Sequence, residues 1–424
     1  MTAGRSVRFA RDKFSYVKIC LVTSENSAQI IEMTDEADYI VIGAGIAGAS
    51  VACELAKSAR VILLEREDQP GYHATGRSAA VFTEIYGNAT IRALTVASAP
   101  FFDNPREEFE DDLLWSPRPL MMIARPDQMD QLKSLYAGAS LLVPTLRLLD
   151  APEVAARAPM LRAGYAAGGL LEEGSSDLDV HAIHQGFLRG ARAYGARLAP
   201  NAEVRAMRRA AGRWIVETKA GTFGARVIVN AAGAWADEVA GLIGAAPVGL
   251  VPKRRSAFTF TPEPAQAVAD WPTIIDISEE FYFKPEAGKL LGSPGDETPS
   301  PPCDARPEEL DLAIAIDRIG AAVNFNIRTI DSKWAGLRSF VADKTPVVGY
   351  DDNIEGFFWL AAQGGYGIQT SPAISRAAAA LLQERAFPED LMALGVNEAT
   401  MSPRRLRTSR LDENAPRPAY AAAR

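Results

Sequence analysis

Residues 37–66 constrain this chain most, because an apolar strand, a glycine-rich turn, a helix and a second strand follow one another without a gap. Tyr39 to Ile42 is a short, mainly β-branched run, the pattern of a buried parallel strand. It ends in Gly43-Ala44-Gly45-Ile46-Ala47-Gly48. Ala49 to Lys57 reads as a helix, and Arg60 to Leu64 as a second strand closed by Glu65. Gly43 allows a tight turn, Gly45 lets a pyrophosphate approach the backbone, and Gly48 lets the helix pack closely on the sheet. The helix N-terminus adds free N–H groups and a positive dipole end. Glu65 stands where an acid accepts hydrogen bonds from a ribose hydroxyl, and its charge would repel a 2′-phosphate. A lone GxGxxG is weak evidence. Here it follows a strand, opens a helix and is answered by an acid about twenty residues on. NADP is disfavoured; FAD and NAD remain.

At 424 residues the chain is too long for one ordinary core, so two domains are expected. A net charge of −8 argues against nucleic acid as a partner. Cys20, Cys53 and Cys303 are far apart and form no CxxC, so neither a disulfide framework nor a zinc site is expected, and a reducing, cytoplasmic setting fits. Three histidines, His73, His181 and His184, make a multi-histidine metal centre improbable. No apolar run reaches the length of a membrane span.

Residues 1–36 are basic at first and lack a signal-peptide core; they read as a disordered extension ahead of a start at Met33. Gln69 to Ala80 is small, polar and punctuated by glycine, fit to wrap a cofactor with backbone N–H groups and the hydroxyls of Thr75 and Ser78. Val180 to Gly195 reads as a helix; Glu203 to Met207 and Trp214 to Thr218 alternate as antiparallel strands. Arg226 to Asn230 is a further buried strand ending in Ala231-Ala232-Gly233-Ala234-Trp235, small residues that let a flat group approach at a switch point. Ser256 to Phe260, Glu280 to Lys284 and Leu290 to Gly292 are candidate strands of a second, β-rich domain. Gln363 to Gln369 places three glycines before an alanine-rich helix reaching about Gln383, where Pro372 fits only the first turn. Residues 401–424 read as a frayed tail.

Together these stretches resemble the glycine oxidase and D-amino-acid oxidase (DAO) family of FAD enzymes, and within it the D-arginine dehydrogenases. The matching segments are Ala37 to Gly48, Gln69 to Ala80, Val229 to Trp235, Pro252-Lys253-Arg254-Arg255, Phe281-Tyr282, Trp334 to Ala342 and Glu355 to Thr370. The resemblance implies an α/β (overall α+β) fold, with a Rossmann-type FAD-binding domain from residues 37–115, 176–247 and 335–400. A smaller β-sheet substrate-capping domain would come from 116–175 and 248–334. It implies FAD contacts from Gly43, Gly45, Ala47, Gly48, Glu65, Arg66, Ala74, Thr75, Gly76, Arg77, Ser78, Ala79, Ala80 and Val204. Gly233, Gln363, Gly364, Gly365, Tyr366, Gly367, Ile368 and Gln369 complete that set. No cysteine lies between Gly336 and Gln369, so FAD is expected to be non-covalent.

It further implies that Tyr86, Arg255, Tyr282 and Arg338 face the substrate, with the Gly365 carbonyl turned to its amine. Oxidising an α-amino acid needs its Cα–H held against the flavin, hence a clamp on its carboxylate, which arginine supplies best. From the residues alone, Arg255, in a basic cluster, reads as an ordinary ion pair; only the resemblance makes it a ligand. Two positions depart from the D-arginine pattern: Val81 replaces a histidine, and Leu120 a glutamate that would hold a guanidinium. With Thr83 they would line the side-chain pocket, with Glu84 as a possible compensation. The expectation is oxidative deamination of neutral or apolar D-amino acids. The alternatives are a secondary amine or 2-hydroxy acid on the same clamp, or a flavin-binding protein with little catalysis. The electron acceptor is left open.

Overall fold

The computed structural model describes residues 18–24, 27–33, 35–109 and 113–408. Among the described residues, six strands form one sheet in the order 197–199, 61–64, 39–42, 227–230, 357–361, 347–350. All neighbours run parallel except Val347–Tyr350, which is antiparallel to Phe357–Ala361. The apolar runs explain the layering: Val61–Leu64 and Phe357–Ala361 are buried at every position, as strands covered on both faces must be. One face carries the helices Ile46–Ala56, Val180–Ala193 and Gly367–Leu382, sharing a core through Ala49, Leu55, Phe187 and Ala377. The other face packs on a smaller sheet through Trp214, Val216 and Phe223.

A nine-stranded mixed sheet forms the second layer, in the order 298–299, 251–260, 289–293, 282–286, 273–276, 120–124, 168–172, 147–150, with Ser332–Phe340 also paired to Val251–Phe260. Its core is rich in phenylalanine: Phe258, Phe260, Phe281, Phe283 and Phe325 are all buried. Three short strands, Val81–Phe82, Trp115–Pro117 and Ser176–Leu178, join the two layers.

Some expectations need correction. The extension is not disordered where it is described: Lys18–Ser24 pairs antiparallel with Ser27–Met33, and Asp35–Glu36 adds in parallel to Gly221–Ala225. The expected tail is helical over Glu398–Met401 and Arg404–Thr408, held by Arg405 on Asp343 and Arg407 on Asp351; residues 409–424 lie outside the described residues. Pro372 is the sixth residue of Gly367–Leu382 and not in its first turn. It lacks the N–H that would bond Ile368, and the Ser371 hydroxyl donates to the Ile368 carbonyl at 2.9 Å instead.

Candidate active site

The glycine turn and the second glycine-rich segment meet at one cavity of about 360 Å³. Gly43 has φ +97°, and a Cβ there would lie 2.5 Å from the Ala231 carbonyl oxygen; at Gly48 a Cβ would lie 1.8 Å from that of Gly43. Only glycines let this turn and helix sit so close to the sheet. The helix begins at Ile46, so the N–H groups of Ala47 and Gly48 have no intrahelical partner. Glu65 is buried at the cavity wall, accepting from the backbone N–H of Ala44 at 2.8 Å and of Glu67 at 3.0 Å.

Gly43, Gly45, Ala47, Glu65, Arg66, Ala74, Thr75, Arg77, Ser78, Ala79, Val204 and Gly233 line this cavity, as do Gln363, Gly364, Gly365, Gly367 and Ile368. Gly48, Gly76, Ala80, Tyr366 and Gln369 do not; they stand behind the wall. Gln369 is turned away, bonding the backbone of Thr83 through both ends of its amide and donating to Thr95 at 2.8 Å. Thr75 spends its hydroxyl on the Ile46 N–H at 3.0 Å, tying the loop to the helix start. Arg77 reaches Asp304 and the carbonyls of Ala305 and Ala335, so it also fastens the loop to the second layer. Sequence reasoning missed Trp235, with the Arg66 guanidinium 4.4 Å from its ring centre, and His73 and Cys303 in the same wall.

At the other end of the cavity stand Arg255, Tyr282 and Arg338. In the antiparallel pair 251–260 and 332–340, Lys253 faces Arg338 and Arg255 faces Gly336. Alternate residues share a face, so Arg255 and Arg338 are diagonal neighbours on one side of the sheet. Arg254 points the other way, to Glu308 and Asp311 at 2.5 and 2.9 Å. Of the basic cluster, then, Arg254 is a structural ion pair, as is Lys253, 2.7 Å from Glu297. Arg255 is 6% exposed; its Nε donates to the Asp296 carbonyl at 2.8 Å, while its buried Nη2 has no hydrogen-bond partner and lies 3.7 Å from Glu297. Arg338 makes no ion pair with a carboxylate among the described residues. Burial works against its charge, but Tyr86, Tyr282, Tyr366 and Glu279 together hold its pKa above the ordinary arginine value.

The chain brings the second glycine segment to this arginine: the Gly364 N–H bonds the Ser339 carbonyl at 3.0 Å, and a Cβ on Gly365 would lie 2.8 Å from Arg338 Nη1. Tyr86 stands just outside the cavity lining, its ring 5.0 Å from that of Tyr366. Its hydroxyl donates to Glu279 Oε2 at 2.6 Å, and burial pushes its pKa up to about 12. Glu279, on the turn between 273–276 and 282–286 with φ +59°, is a further residue the sequence did not single out.

The side-chain pocket differs from expectation. Leu120 is wholly buried in a core with Val81, Ile85, Tyr86 and Met122, and does not line the cavity. Its strand runs between two neighbours, with Glu172 and Thr273 opposite it, and its side chain packs into that core. Thr83 is likewise buried, its hydroxyl 2.5 Å from Glu172. Glu84, half-buried, has its pKa raised by desolvation.

The residues suit a flavin dinucleotide: a glycine cradle that a side chain would fill, two helix N-termini and an acid at the first strand pair converge on one cavity. This defines a dinucleotide-binding oxidoreductase. The chain belongs to the DAO family, FAD dependent oxidoreductase, whose pattern matches residues 38–381, and its cofactor is FAD. It is 25% identical over 395 residues to mitochondrial dimethylglycine dehydrogenase of Mus musculus, covering 88% of this chain and 45% of that protein. Glycine oxidase of Geobacillus kaustophilus is 23% identical over 369 residues, covering 85% of this chain and 96% of that one. The chain thus spans about half the length of the dimethylglycine dehydrogenases it matches. The crystal structure of the Geobacillus kaustophilus glycine oxidase shares the fold, with TM-score 0.75, 21% identity, and 87% and 98% of the two chains covered. Iminodiacetate oxidase from Chelativorans sp. gives TM-score 0.71, 22% identity, and 86% and 98% covered. Among the described residues no cluster of side chains could hold a metal ion, and no helix is long and apolar enough to cross a membrane.

Proposed function

We propose that the chain oxidises the C–N bond of a D-amino acid, held by its carboxylate between Arg255 and Arg338. The observation that carries this reading is the pair of guanidiniums on one sheet face at the end of the cavity. Among the described residues Arg338 makes no ion pair with an acid, Glu279 acting on it only from a distance, and Arg255 has a buried nitrogen without a hydrogen-bond partner. A bidentate, charge-assisted grip by arginine fits a planar carboxylate. Tyr282, on the same wall, supplies a hydroxyl to direct the substrate. Gly365, against Arg338, exposes backbone without a side chain where the amine would sit. FAD, when bound, takes up the two electrons that leave with the Cα–H as hydride. The protein's part is to place that Cα–H within reach, and to set the free N–H groups of Gly367 and Ile368 near the charge that develops. The product is an imino acid, which water hydrolyses to a 2-oxo acid and ammonia.

Neutral side chains are the proposed preference. The core behind the loop 81–86 is apolar, and burying an apolar side chain against it is favourable. A second reading, an N-substituted glycine, is favoured by the relatives that oxidise dimethylglycine and iminodiacetate. Steady-state kcat/KM for D-leucine, D-methionine, D-phenylalanine, D-arginine and N,N-dimethylglycine decides. The neutral D-amino acids should lead. A lead for N,N-dimethylglycine would establish the second reading, and one for D-arginine would make Glu84 and Glu279 the specificity residues.

A further inference from the structure

The loop carrying Thr83, Glu84 and Tyr86 is fastened from two sides. From the helix 367–382, Gln369 bonds the Thr83 backbone twice. From the strand 168–172, Glu172 takes hold with both carboxylate oxygens: Oε2 accepts the Thr83 hydroxyl at 2.5 Å, and Oε1 accepts the Glu84 N–H at 2.7 Å. Glu172 is 2% exposed, and both of its donors belong to the loop.

We propose that Glu172 is the positioning residue of this loop, and that ionising its carboxylate loosens the loop that presents Tyr86 to the site. Among the described residues no cation balances it. The neighbouring strand 120–124 sets Leu120 opposite it, the helix 367–382 reaches it only through the uncharged Thr83, and the loop itself brings Glu84, a like charge. Burial therefore raises its pKa, to about 7, outweighing the hydrogen bonds from Thr83 and the Glu84 N–H, which lower it, with the Glu84 charge adding to the rise. Once the loop lifts, water reaches the carboxylate and its pKa falls back toward the ordinary 4.5. The closed loop thus holds a proton that the open loop releases. Opening becomes easier as pH rises from the ordinary carboxylate value to about 7, and levels off above it. In the protonated form Oε1 still accepts from Glu84, while the acid proton and the Thr83 hydroxyl share the second contact.

The test is hydrogen–deuterium exchange of the peptide covering Val81–Gly87 in the FAD-loaded protein, corrected for intrinsic exchange, at pH 5.5 and 7.5. This readout does not depend on the proposed substrate. Protection should fall roughly tenfold or more between the two values, and Glu172→Gln, which cannot ionise, should hold it level. Glu84→Gln should keep most of the parent's dependence. Flat protection in the parent, or a Glu172→Gln protein that keeps the parent's slope, overturns the proposal. Should Glu172→Gln fail to load FAD, Thr83→Val replaces it: it must lower protection at both pH values while keeping the slope, and unchanged protection refutes the clamp. With D-leucine, resting on the function proposed above, Glu172→Ala should raise KM about tenfold at little change in kcat. An inactive parent would then count against that function and leave the exchange result standing.

Discussion

Arg255 and Arg338 share a face but not a setting. Arg255 is tethered by the Asp296 carbonyl and lies near Glu297, whereas Arg338 makes no ion pair with a carboxylate among the described residues. Losing a charge-assisted bond to a substrate carboxylate costs about 1.5–3 kcal/mol, roughly ten- to a hundredfold in kcat/KM. Arg338→Met should reach or exceed that range and Arg255→Met should fall within it, both with FAD retained. Parental kcat/KM in either flavin-loaded variant would remove that arginine from the clamp. The basic triplet 253–255 also shows what a sequence withholds: three adjacent cations look alike until strand alternation sends Arg254 to Glu308 and Asp311 and Arg255 to the cavity. Leu120 misleads in the opposite sense. Its place in the chain matches a substrate-binding acid, but its side chain packs in the core with Ile85 and Met122.

Among the elements, the helix 367–382 links cofactor and fold. Its N-terminus opens on the cavity, and Pro372 breaks its ladder one turn later. The Ser371 hydroxyl satisfies the Ile368 carbonyl that Pro372 cannot reach. Ser371→Ala would leave that buried carbonyl unpaired, a loss of about 1–3 kcal/mol. Thermal melting of the FAD-loaded variant should show a lower Tm; an unchanged Tm would mean the hydroxyl is dispensable. The first glycine turn was fully legible, because strand, turn, helix and acid lie within thirty consecutive residues and each has a local cause. Contacts of high sequence separation were not. Gln369 to Thr83, Tyr86 to Glu279 and Glu172 to the loop 83–84 depend on how distant strands pair, which no local pattern encodes. Helix and strand ends were misplaced by a few residues for the same reason: Ser256 to Phe260 is the end of a longer strand, Val251–Phe260, whose length is set by pairing with 332–340.

For the whole molecule, the cavity lies where the parallel sheet and the nine-stranded sheet face each other, with the dinucleotide cradle from one and the arginines from the other. Cys53 is buried in the core, while Cys303 reaches the cavity wall from a loop that carries no cofactor motif. Non-covalent FAD remains the expectation: denaturing the yellow protein should release intact FAD. Flavin left on the chain would make Cys303 and His73 the first attachment points to examine.

The central claim is that the site grips an amino acid by its carboxylate and delivers its electrons to the flavin. Anaerobic mixing of the FAD-loaded protein with D-leucine, and separately with 3-methylbutylamine, the same molecule without its carboxylate, measures this most directly by flavin absorbance. D-Leucine should bleach the flavin and the amine should do so at least a hundredfold more slowly, with Arg338→Met narrowing the gap. Equal rates for the two, or a flavin that neither reduces, would contradict that claim.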